Sequence, residues 1–155
     1  MLLATPATVK SGFYTQELAD FNFNNITEMA CPGLATAIES QKPNLIKQVV
    51  VDIFENNPLN YQDFDVILLA CSHYPLATNI IKEVFIENGG NSEIQIFDQT
   101  KLVAHKLLEY LKNHPEIDLQ TGTTTIYVSG NNLNFDRKVE AVFPELKAER
   151  MILGL

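Results

Sequence analysis

Short apolar runs alternate with amphipathic stretches along the chain, the pattern of a layered α/β fold. Residues 66–70 form a continuous apolar run, as expected of a strand buried on both faces of a parallel sheet. Residues 2–5, 26–30, 94–97, 124–128 and 151–153 are shorter strand candidates. Leu45, Ile46, Val49, Val50, Ile53 and Phe54 recur at helical spacing and predict one amphipathic helix. Leu76, Ile80, Ile81, Val84 and Phe85 predict a second, closed by Gly89-Gly90. Residues 102–111 predict a third, with Val103, Leu107 and Leu111 on one face. Residues 11–21, capped by Ser11, residues 34–40, and residues 133–143, stopped by Pro144, complete the predicted helices. Cys31-Pro32-Gly33, residues 56–60 and residues 114–123 read as turns or surface loops.

Length and charge narrow the class. A chain of 155 residues is one domain or two small ones. Hydrophobic residues make up 46% and charged residues 19%, which excludes a disordered, solvating chain. A net charge of -8 without basic runs argues against nucleic acid, because phosphate neutralisation needs clustered Lys and Arg. No run approaches the roughly 18 apolar residues of a membrane span, and residues 1–10 lack the pattern of a secretory signal. No membrane partner is expected. Cys31 and Cys71 are then expected as free thiols in a reducing compartment, with the cytoplasm as location.

The chemistry concentrates after the strand at residues 66–70, at Cys71-Ser72-His73-Tyr74-Pro75. In open α/β sheets ligands bind beyond the carboxyl ends of strands. Pro75 suits a first helical position, and free N–H groups of a first turn favour an anion, a thiolate included. A cysteine so placed tends towards a lowered pKa and serves as nucleophile or base. His73 is placed to tune the thiol or move a proton near neutral pH, and Ser72 to hold a carboxylate. The alternative is a small buried hydrophobe beside a loop histidine; the Cys-x-His pair brings the two readings to even weight. Cys31, with no His, Ser or Thr beside it, reads as structural. Asp98 fits a site residue and a helix cap equally well. Two cysteines and three histidines (His73, His105, His114) at no ligand spacing predict no metal site. No glycine-rich phosphate loop follows a strand, and there is no G-x-S-x-G elbow, so no nucleotide cofactor is expected.

Residues 69–76, Leu-Ala-Cys-Ser-His-Tyr-Pro-Leu, resemble the second cysteine motif of the glutamate racemase family, Gly-Cys-Thr-His-Tyr-Pro-Leu. Further segments resemble it in the same order. Residues 4–14 resemble Gly-Thr-x-Ala-Thr-Val-x-Ser-x-x-Tyr, Ala30-Cys31-Pro32 an Ala-Cys-Pro loop, residues 97–100 an Ile-Asp-Ser-Gly segment, and residues 127–130 a late strand ending in Ser-Gly. The departures are Ala4 and Ala70 for Gly, Ser72 for Thr, and Gln99-Thr100 for Ser-Gly. Ser72 keeps the hydroxyl that can donate to a carboxylate. The family's Asp-Ser-Gly loop and first catalytic cysteine have no counterpart in this sequence.

The resemblance implies a Rossmann-like α/β fold, a three-layer parallel sheet flanked by helices. Residues 1–97 would be the second racemase domain and residues 98–155 the C-terminal return segment of the first. It implies cofactor-independent interconversion of L- and D-glutamate, supplying D-glutamate for peptidoglycan. It assigns Cys71 as the acid/base on one face of the α-carbon, towards L-glutamate, with His73 assisting it and Ser72 and His73 contacting substrate. The expected partner is a missing N-terminal racemase half or a second copy. Two alternatives stay open: a non-catalytic remnant that binds a partner or small dicarboxylate, and an aspartate or hydantoin racemase of the same superfamily. If residues 100–155 normally pack on the absent half, the stripe at Val103, Leu107 and Leu111 is exposed and promotes association.

Overall fold

Three consecutive buried residues, Leu2, Leu3 and Ala4, form β1 (Leu2–Ala4), a central strand of a four-stranded sheet. The computed structural model describes residues 1–117, 123–130 and 135–153. These divide into two compact units, Met1–Leu107 and Leu108–Leu155.

In the first unit, β1 lies between β2 (Glu28–Ala30) and β3 (Val66–Ala70), and β4 (Gln95–Asp98) pairs outside β3. All three pairings are parallel, and Ala4 stands level with Ala30 on one side and Ala70 on the other. Strand alternation divides the core between the two faces of the sheet. Leu3, Met29, Ile67 and Leu69 face a large cluster built with α3 (Leu34–Glu39), α4 (Pro43–Glu55) and α5 (Thr78–Glu87). Leu2, Ala4 and Ala70 face a smaller one with Val9 and Tyr14, from α1 (Pro6–Ser11) and α2 (Phe13–Ala19). Helices therefore cover both faces, as the sequence predicts. The α4 stripe buries Ile46, Val50, Ile53 and Phe54, and the α5 stripe buries Ile81, Val84 and Phe85. Phe54, Phe85 and Tyr61 meet in an aromatic group with ring centroids 5.1 to 6.4 Å apart.

Two helix starts differ from the sequence expectation. The helix predicted at residues 11–21 is α2, and an unpredicted helix, α1, precedes it across Gly12, whose φ of 63° lies in the left-handed region that glycine enters without strain. Thr5 caps α1: its hydroxyl accepts from the Thr8 N–H at 3.2 Å, and Pro6 sits in the first turn. Ser11, the expected cap, ends α1, and its hydroxyl accepts from the N–H of Phe13, the first residue of α2, at 3.3 Å, while Gly12 holds the cap position. After β3, residues Tyr74–Ala77 form a 3-10 turn, and the α-helix begins only at Thr78.

Helix α6 (Gln99–Lys112) begins in the first unit and has no buried residue; Val103 and Leu107 are exposed and Leu111 is half-buried. Asp98 starts it as a cap, with Oδ1 accepting from Thr100 N–H at 3.0 Å and Lys101 N–H at 3.2 Å. In the second unit, β5 (Thr124–Val128) pairs in parallel with β6 (Ala148–Ile152), separated in sequence by α7 (Phe135–Val142). Arg150 Nε lies 3.4 Å from the Asp136 carboxylate. None of the described residues of this unit is buried. The loop expected at residues 114–123 and the helix start expected at residue 133 fall in part outside the described residues.

Candidate active site

The chain leaves β1 towards β2 on one side of the sheet and returns to pair β3 on the other. That reversal opens a crevice beyond the carboxyl ends of β1 and β3, the usual ligand position in open α/β sheets. Thr5 follows β1 and Cys71 follows β3, so both stand at its mouth. The apolar run that buries β3 thereby delivers a half-buried thiol to the sheet's edge.

Cys71 Sγ lies 4.0 Å from His73 Nδ1, and Ser72 Oγ lies 3.5 Å from the same nitrogen. The three predicted site residues thus converge on one ring nitrogen. The other ring nitrogen, Nε2, is 3.1 Å from Glu39 Oε1. A carboxylate accepts only, so Nε2 carries the proton and donates to Glu39, which leaves Nδ1 free to take a proton from sulfur or hydroxyl. The row carboxylate, imidazole, thiol has the logic of a base oriented by a third group. Sequence reasoning missed Glu39. It closes α3, 34 residues before His73, and no local spacing ties the two together.

The 3-10 turn changes the electrostatics expected from sequence. The N-terminal turn of α5 starts at Thr78, so its free N–H groups do not follow Cys71 directly. Close to the cysteine, the Tyr74 N–H donates to the Cys71 carbonyl at 3.2 Å and closes a tight turn. The Tyr74 side chain is fully buried, and its hydroxyl donates to the Cys31 carbonyl at 3.3 Å. Burial raises the Tyr74 phenol well above its ordinary pKa, so it stays protonated and remains a donor.

Cys31 is a different thiol. It is 2% exposed, and its S–H donates to the Met29 carbonyl at 3.5 Å. Burial pushes its pKa from an ordinary value near 9 up to about 12, against hydrogen bonds with the Ala4 backbone and the Tyr74 hydroxyl that lower it. Cys31 and Cys71 follow β2 and β3, which flank β1. Two interstrand spacings of about 4.8 Å separate their backbones, beyond the roughly 7 Å that a disulfide bridges. Among the described residues no group of three or more His, Cys, Asp or Glu side chains could hold a metal ion, and no helix is long and apolar enough to cross a membrane.

No family model matches the sequence. Curated relatives do. Glutamate racemase of Roseobacter denitrificans is 33% identical over 131 residues, which cover 84% of this chain and 46% of that protein. Among solved structures, glutamate racemase isoform RacE1 of Bacillus anthracis superposes with a TM-score of 0.81 at 22% identity, over 99% of this chain and 56% of that one. Glutamate racemase of Francisella tularensis, solved in complex with D-glutamate, superposes with a TM-score of 0.80 at 18% identity, over the same shares. Sequence and fold agree: this chain belongs to the glutamate racemase family, and it spans about half the length of the curated relatives it matches.

Proposed function

We propose that this chain carries one side of a glutamate racemase site, with Cys71 as the acid/base on one face of the substrate α-carbon. The observation that carries the reading is the row Glu39, His73, Cys71 at the mouth of the β1–β3 crevice. The D-glutamate complex of the Francisella tularensis relative supports glutamate as the ligand.

The α-hydrogen of an amino acid is weakly acidic, so its removal depends on placing a base close by and neutralising developing charge. In the proposed step His73 Nδ1 draws the proton from Cys71, and the thiolate takes the α-hydrogen. The C–H bond breaks, an S–H bond forms, and the electron pair stays on carbon beside the carboxylate. Ser72 donates its hydroxyl to that carboxylate. Inversion needs a second acid on the opposite face. The chain has two cysteines, and Cys31 is buried two strands away. In this reading the second acid comes from outside this chain's own site, from an N-terminal racemase half or a second copy. The product, D-glutamate, fits peptidoglycan synthesis, a cytoplasmic role.

A second reading rests on the same single accessible thiol. A site with one acid/base binds glutamate without inverting it. Titration of L- and D-glutamate into the isotopically labelled full chain tests what both readings share. Amide shifts at Cys71, Ser72 and His73 are expected. Unchanged resonances there, at glutamate concentrations of tens of millimolar, overturn both.

A further inference from the structure

Tyr74 does two things at once. Its backbone N–H closes the turn over Cys71 at 3.2 Å, and its buried hydroxyl reaches past the end of β1 to the Cys31 carbonyl at 3.3 Å. Cys31 opens the turn from which α3 starts, and α3 ends at Glu39. Leu34, Ala37 and Ile38 bury the inner face of that short helix, so it moves as a unit with the turn before it. Glu39 then closes the ring by meeting His73, the residue before Tyr74, at 3.1 Å. The loop after β3 is thus fastened to the segment after β2 at two places: a buried hydrogen bond at the start of α3, and a half-exposed imidazole–carboxylate hydrogen bond at its end.

We infer that the Tyr74 hydroxyl is a positioning group for the His73–Glu39 pair, setting the register of α3 so that the carboxylate meets Nε2 and Nδ1 faces the Cys71 sulfur. Packing alone holds the ring of Tyr74, since Phe fills the same space. What the hydroxyl adds is a directional tie on one carbonyl, with a geometric tolerance of tenths of an ångström. A carboxylate at the far end of a six-residue helix needs such a tie more than one half-exposed hydrogen bond to an imidazole can provide. The inference rests on the reading of Cys71 as the acid/base, but its test reads thiol reactivity and not turnover, so the two fail separately.

The test is the rate of alkylation of Cys71 by iodoacetamide at neutral pH in the full chain, with cooperative thermal melting as the check on folding. Tyr74→Phe and Glu39→Ala are each expected to slow alkylation about fivefold, the scale of one lost hydrogen bond. The double variant is expected to be no slower than Glu39→Ala alone, because the hydroxyl acts through the carboxylate. A purely structural role lowers the melting temperature and leaves the alkylation rate unchanged. That result overturns the inference, as do rates that multiply in the double variant. A Tyr74→Phe chain that fails to melt cooperatively also overturns it, since the hydroxyl would then be a condition of folding.

Discussion

Glu39 and His73, 34 residues apart in the chain, meet at 3.1 Å across the mouth of the sheet. Because the carboxylate holds Nε2, the Nδ1 edge of the ring is presented to Cys71. Glu39 is expected to influence the thiol only through the imidazole. Glu39→Ala therefore slows Cys71 alkylation about fivefold with His73 present and has no further effect in a His73→Ala chain. A double-mutant cycle of alkylation rates measures this coupling.

The two thiols should separate cleanly in a native titration. Cys71 is half-buried beside an imidazole and Cys31 is 2% exposed. Ellman's reagent is expected to modify one thiol in the folded chain and both after unfolding in guanidinium. Two rapidly reacting native thiols would contradict the buried position of Cys31.

Cys31 also sets a sign for the alkaline limb of stability. Its pKa is near 9 when unfolded and about 12 when folded. Below pH 9 both states are protonated, and the full contribution is present. Between about pH 9 and 12 the unfolded state alone ionises, so folding stability falls as pH rises. The slope from this one group approaches about 1.4 kcal/mol per pH unit. Cys31→Ala is expected to be less stable at neutral pH but to show a shallower decline above pH 9, measured by urea unfolding at each pH.

The five-residue run of β3 was legible because it holds no polar residue, although burial is complete only at Ile67, Leu69 and Ala70, with Leu68 half-buried and Val66 exposed. β2 is shorter than the strand expected at residues 26–30, since β1 offers only Leu2, Leu3 and Ala4 to pair with. The helix expected at residues 11–21 is found as α2, whereas α1 was not legible, because residues 2–5 read as strand up to Thr5, which in fact caps α1. Cys71, Ser72 and His73 share one loop and could be read together. Glu39 could not, because the chain passes through α4 and β3 before the two segments meet. The α6 stripe was legible too, and it stays open: Val103 and Leu107 are exposed and no residue of α6 is buried.

Gly90 tests the packing that anchors the far end of α5. A Cβ built there would collide with the buried ring of Phe85, which also packs on Phe54 and Tyr61. Gly90→Ala is expected to destabilise the chain by about 1–3 kcal/mol, the usual cost of overpacking. Thermal melting measures it, and an unchanged midpoint would show that the ring has room to move.

The most direct measurement of the account is hydrogen exchange at the α-carbon. The full chain is incubated in D2O with L-glutamate, and with D-glutamate in parallel, and the α-proton is followed by NMR. One acid/base on one face predicts deuterium uptake with configuration retained, in a single enantiomer, and loss of that uptake in Cys71→Ala. Uptake that persists in Cys71→Ala, or none in the unsubstituted chain under conditions where glutamate binds, would contradict the assignment of Cys71 as the acid/base.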